Sequence, residues 1–140
     1  MIYTTLKEIH TFFPYGRPWD EIFDHLRRRK IDNDPFPLVT ILDIRGLHDT
    51  IWCLRACPRV AAEFAHWCAE RAAILTGGPV DEVTEAAERA SELADDHTPY
   101  SDRISEAADW ANRAARATRW YAGDKWEAER QTAKLRELLS

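Results

Sequence analysis

Apolar positions along this chain fall at helical intervals almost throughout, and where the interval breaks a glycine or a proline stands. Trp19, Ile22, Phe23 and Leu26 follow the i, i+3, i+4, i+7 order of one buried helix face, with Pro18 well placed at its first turn. Val60, Phe64, Trp67, Cys68, Ala72 and Leu75 make a second stripe that stops at Gly77-Gly78-Pro79. The segment from about Asp81 to Ala94 is two-faced. Val83, Ala86, Ala87, Ala90, Leu93 and Ala94 look inward, and Asp81, Glu82, Glu85, Glu88, Glu92 and Asp95 line the outside. Beyond a loop over Asp95 to Pro99, an Ala-rich helix runs from Ser101 to about Ala122 on a stripe of Ile104, Ala108, Ala111, Ala115 and Thr118. Small residues on such a stripe let a neighbouring helix approach closely. Its other side carries Arg103, Arg113, Arg116 and Arg119. The register then slips, because the last segment is served by Ala128, Gln131, Leu135 and Leu138. Gly123 is therefore expected to end one helix, and Asp124 with Glu127 to open another; one curved helix is the alternative. No strand-like alternation occurs. The pattern predicts an all-α fold, a single compact domain over 1–140 with seven or eight helices.

The bundle is expected to close around the stretch from Leu38 to Pro58, two apolar helical segments joined at Gly46. Ile51, Trp52, Cys53, Leu54, Ala56 and Cys57 leave Arg55 as the one polar position, and a helix apolar around its whole circumference must be wrapped by others. This predicts a central helix over about 47–57, with Gly46 closing the helix before it, Asp49 capping its start and Pro58 ending it. Arg55 then needs a structural ion pair, for which Asp43 and Asp49 are nearest in sequence; a place in a ligand site is the alternative. Upstream, Thr5 and Glu8 match a capping box for a short helix from Leu6 to about Phe12. Phe12, Phe13, Tyr15 and Trp19 cluster around the breakers Pro14, Gly16 and Pro18, either as a lid folded onto the core or as a recognition surface. Arg27-Arg28-Arg29-Lys30 complements the dipole at a helix end, and Asn33-Asp34-Pro35 with Pro37 forms the following turn.

Composition narrows the function classes. The chain is 45% hydrophobic and 31% charged, as ordinary soluble domains are, and 140 residues suffice to bury a core without staples. A net charge of -5 and a pI near 5.5 argue against binding nucleic acid directly, since phosphate binding draws on excess Lys and Arg. No run reaches the ~18 apolar residues of a membrane span, so no membrane association is expected. MIYTTLKEIHTFF lacks an early basic region and a continuous apolar core, which is not the pattern of a signal peptide. Three cysteines, all in expected helices, suit reduced thiols in a cytoplasm.

The candidates for chemistry are few. Cys53 and Cys57, four apart on one helix face, could join Cys68 and His66 in a zinc site, but their apolar setting favours burial as thiols. His48-Asp49 matches the dipeptide of metal-dependent phosphohydrolases of the HD type, and Asp49 is equally a helix cap. Glu82-x-x-Glu85 and Glu106-x-x-Asp109 have a spacing that resembles the ExxE and ExxD motifs of all-α nucleotide pyrophosphohydrolases. In those enzymes, four carboxylates on two helices hold Mg²⁺ against a triphosphate for water attack. Against this, the apolar register turns Glu82 and Glu85 to the solvent side. No phosphate loop, GxSxG elbow or HExxH pair is present. No catalytic group and no cofactor are expected.

Leu38, Ile41, Leu42, Gly46, Leu47, Asp49, Trp52, Cys53, Leu54, Arg55 and Ala56 form a pattern that resembles the signature of small all-helical immunity proteins, many of them borne by phages and prophages. Leu6-Lys7-Glu8-Ile9, the Trp19 helix, the Ala/Arg/Trp-rich tract from Ala107 to Trp120 and the stretch from Glu129 to Leu138 are also similar. Relatives carry a purer Ala/Trp/Arg tract, where this chain interposes an acidic helix and Asp95 to Pro99. The resemblance implies a non-enzymatic protein that blocks a macromolecular partner in the host cytoplasm, either a toxin or, as anti-CRISPR proteins do, a CRISPR-Cas effector. An acidic helix face offered to a basic groove would serve either target. The residues expected to form it are Glu82, Glu85, Glu88, Glu92 and Asp95, with the aromatic turn at Phe13 and Tyr15 as a second surface. A solvated face salt-bridged to the arginines of the next helix is the structural alternative. An oligomerisation module, built on Ala108, Ala111 and Ala115, is the third functional reading.

Overall fold

A computed structural model describes residues 1–12, 18–95, 106–123 and 126–140. The expectations that fall on Phe13, Pro14, Tyr15 and Gly16, on Asp96 to Pro99, on Ser101, Arg103 and Ile104, and on Asp124 lie outside the described residues, as do the side chains of Phe12 and Pro18. The described chain is all-α. Its eight helices are α1 (Leu6–Phe12), α2 (Pro18–Leu26), α3 (Val39–Arg45), α4 (Leu47–Cys53), α5 (Pro58–Thr76), α6 (Asp81–Ala94), α7 (Glu106–Ala122) and α8 (Trp126–Leu139). One element departs from the sequence expectation. Tyr3–Thr4 (β1) and Phe36–Pro37 (β2) pair antiparallel, a ladder two residues long and so too short to leave an alternating pattern. Ile2 beside it donates its amide to the Leu139 carbonyl and accepts from the Leu38 amide, both at 2.9 Å, which ties the first residues to the end of α8 and the start of α3.

The core is carried by α5, α6 and α7, each packed against the other two. They approach closely because their facing positions are mostly alanine: Ala61, Ala65, Ala72, Ala86, Ala87, Ala90, Ala107, Ala108, Ala111, Ala114 and Ala115 are all buried. Phe64 and Val83 fill the space the alanines leave. The loop between α5 and α6 is closed by Gly77, whose φ of 83° is left-handed and whose amide bonds the Ala73 carbonyl. Gly123, at φ 68°, ends α7 the same way through the Arg119 carbonyl, so the chain breaks there instead of curving on.

The stretch expected to be the central helix is built differently. Residues 47–57 form α4 and then a single 3-10 turn, Leu54–Ala56, and the long α5 takes the central place. Pro58 is the cause: it opens α5 at its first turn and forces Cys57 out of the helical region, to φ -138° and ψ 67°. Ile51, Cys53 and Leu54 are buried as expected, whereas Trp52 is 37% exposed and lies under the Arg55 guanidinium, 3.7 Å from it. Asp49 does not cap α4, since the N-cap is Gly46 with no side-chain bond; Asp49 instead accepts from Arg45 Nε at 2.8 Å. The capping box is half made. The Glu8 amide bonds Thr5 Oγ1 at 3.1 Å, while the Glu8 carboxylate accepts from the Thr4 hydroxyl.

Candidate functional site

The outward face of α6 and the neighbouring face of α7 form a surface with charges of both signs. α6 presents Glu82 and Glu85 toward α7, and α7 answers with Trp110, Arg113, Arg116 and Trp120, one face of that helix at i, i+3, i+6 and i+10. A groove of about 640 Å³ lies between them, floored by Ala86 and Ala117. Because Glu82 at the start of α6 and Trp120 near the end of α7 line the same groove, the two helices run antiparallel. Arg113 stacks over the Trp110 ring at 4.4 Å, and Trp120 is 83% exposed.

The charges on the two walls do not pair with each other. Glu82, Glu85, Arg113 and Arg116 form no ion pair with any described residue, so the face is solvated and not bridged to these two arginines of the next helix. Farther along α6, Glu88, Glu92 and Asp95 are exposed, and among the described residues Glu92 alone of the three is in an ion pair, with Arg89 on its own helix at 3.4 Å. Six carboxylates against one arginine leave residues 81–95 at -5, the formal net charge of the whole chain. The rest of the sequence is therefore electrically balanced. Compared with protein-family models, with curated proteins and with solved structures, the chain finds no match in any of the three.

The other candidate residues are placed as follows. Arg55 is in an ion pair, but with Asp109 of α7, and neither Asp43 nor Asp49 is its partner. Asp43 pairs with Arg136 of α8 at 2.7 Å and Asp49 with Arg45. The 3-10 turn aims the Arg55 side chain across at α7, a direction that sequence separation could not give. That bond also draws Asp109 toward the turn, while Glu82 and Glu85 line the α6–α7 groove with Trp120 at its far end. The four carboxylates of the ExxE and ExxD pattern are thus not brought together, and no group of three or more His, Cys, Asp or Glu among the described residues could hold a metal ion. His66 shares a hydrogen bond with Ser91 at 2.6 Å, a brace between α5 and α6. Trp110 and Trp120 were legible only as members of a tract; their i, i+10 relation on one face was the signal for the groove.

The thiols sit as buried apolar side chains. Cys53 and Cys68 are almost fully buried, and burial pushes the Cys53 thiol up to about 12, the half-buried Cys57 to about 11, and Cys68 still further. In the unfolded chain a thiol ionises near 9.0. Above that pH the unfolded state releases protons that the folded state retains, so stability falls as pH rises, by about 1.4 kcal/mol per pH unit for each buried thiol until its folded value is reached. Urea midpoints measured from pH 9 upward are expected to drop more steeply for the wild type than for a Cys53→Ala/Cys68→Ala variant. Equal slopes would show that the thiols are ionised in the fold.

Proposed function

We propose that this protein is a non-enzymatic inhibitory binding protein whose outer α6 face, Glu82, Glu85, Glu88, Glu92 and Asp95, docks into a basic groove of a partner protein. The observation that carries the reading is the concentration of the chain's entire net charge on residues 81–95, with none of these carboxylates paired to a described arginine of α7. Carboxylates spaced along an exposed helix substitute for nucleic acid phosphates, and a one-signed patch accelerates encounter with an opposite one by long-range attraction. A partner of that chemistry is a nucleic-acid-handling enzyme. Together with the resemblance to phage-borne immunity proteins, this favours a CRISPR-Cas effector or a nuclease toxin, blocked in the host cytoplasm.

Capture of partners from a host lysate, with mass spectrometry, names the target. Once it is in hand, the variant Glu88→Lys/Glu92→Lys/Asp95→Lys is expected to slow association at least about ten-fold while the helical circular dichroism is unchanged. Wild-type association should fall steeply with added salt, as screened attraction does. An association rate indifferent to both the reversal and the salt would remove this face as the docking surface.

The oligomerisation reading through the Ala-rich stripe finds no support. Ala108, Ala111 and Ala115 are buried between α7 and its neighbours, so a dimer through them would require the bundle to open.

A further inference from the structure

We infer that the α6–α7 groove is the contact face of a two-fold dimer of this chain. The groove has an acidic wall, Glu82 and Glu85 of α6, and a basic wall, Arg113 and Arg116 of α7, the arginines flanked along their helix by Trp110 and Trp120. These four charges are unpaired among the described residues although they line the same groove. A foreign partner would need both signs in matching order. A second copy supplies them by construction, provided the symmetry axis is right.

The charge pattern selects that axis. A two-fold axis running along the groove, parallel to the helices, lays α6 of one copy over α7 of the other at the same level. Each acidic wall then meets a basic wall, and the indoles of Trp110 and Trp120 lie against α6 of the other copy. An axis across the groove would instead lay α6 on α6, carboxylate against carboxylate, which is strongly disfavoured. Aromatic side chains and arginines are the residues enriched where such interfaces hold their energy, and Trp120, 83% exposed, is the largest apolar surface left open on α7. The dimer goes beyond the partner-binding reading and narrows it: Glu82 and Glu85 are taken up by the second copy, and the face left to a target is Glu88, Glu92 and Asp95, which do not line the groove.

Sedimentation velocity across the micromolar range tests the dimer. The wild type is expected to sediment as a dimer. Glu82→Arg/Glu85→Arg, whose two walls are both basic, and Arg113→Glu/Arg116→Glu, whose walls are both acidic, are each expected to be monomers with unchanged helical circular dichroism. Mixed in equal amounts, these two variants should form a heterodimer, since every wall again meets its opposite. Trp120→Ala, at a position too exposed to affect folding, should weaken the dimer about 30-fold. A monomeric wild type would overturn the proposal, as would a dimer that survives either reversal or a mixture that stays monomeric. Glu88→Lys/Glu92→Lys/Asp95→Lys should leave the dimer intact, so the failure of the partner reading and of this one are separable.

Discussion

Phe64→Ala is expected to lower the stability of the folded chain by about 3–5 kcal/mol, the range for removing a fully buried aromatic ring. Phe64 is completely buried on α5, the helix that touches both α6 and α7, and it stacks on Trp67 with ring centroids 6.1 Å apart. Its neighbours are largely alanines, which have no side-chain freedom with which to collapse into the space a ring leaves. The loss should therefore lie toward the upper end of the range, a large share of the ~5–15 kcal/mol that holds a typical domain together. Thermal unfolding should shift down by roughly 10 °C or more for a chain of this size. Urea unfolding with an unchanged m-value is the direct check. A loss below about 1 kcal/mol would show that the three-helix layer does not close on this ring.

Arg71→Leu is the second large effect expected. Glu127, at the first turn of α8, is completely buried, and Arg71 of α5 holds it in a two-pronged contact, Nε to Oε1 at 3.2 Å and Nη2 to Oε2 at 2.8 Å. Removing the guanidinium takes both of these bonds from a carboxylate that water does not reach, and breaking a buried pair from one side costs about 3–5 kcal/mol; Arg130, at 3.4 Å, is half exposed. Because replacing a buried pair by apolar residues of similar volume is close to neutral, Arg71→Leu/Glu127→Leu should recover most of the stability lost in the single variant. A double variant no more stable than Arg71→Leu would mean that the pair itself sets the energy. The same bond docks α8 on the bundle, together with buried Gln131, whose amide donates to the Ala115 carbonyl at 3.0 Å and whose oxygen accepts from Arg119 at 2.7 Å.

The periodicity of apolar residues carried most of the fold. The amphipathic α6, the helix stop at Gly77 and the break at Gly123 follow from side-chain spacing and from glycine's access to left-handed backbone, both local properties. For the same reason the acidic face was visible at once: a helix register assigns each carboxylate to a side without reference to the rest of the molecule. The central helix was misplaced because hydrophobicity around a whole circumference signals burial but not rank. Pro58 cut that segment short, and the longer α5, with small residues on its faces, could be approached from more sides.

What the sequence determined by itself, then, is the all-α class, the helix stops at Gly77 and Gly123 and the side of α6 on which its excess charge lies, because each depends on residues within a few turns of one another. Only the tertiary structure decided which charges meet. Arg55 chose Asp109, 54 residues away, over the two aspartates beside it in sequence, Asp43 went to Arg136, and the arginines of α7 stayed apart from the carboxylates of α6. Such choices depend on how helices cross and on which long side chain reaches across a gap. Neither quantity is encoded in spacing along a single helix.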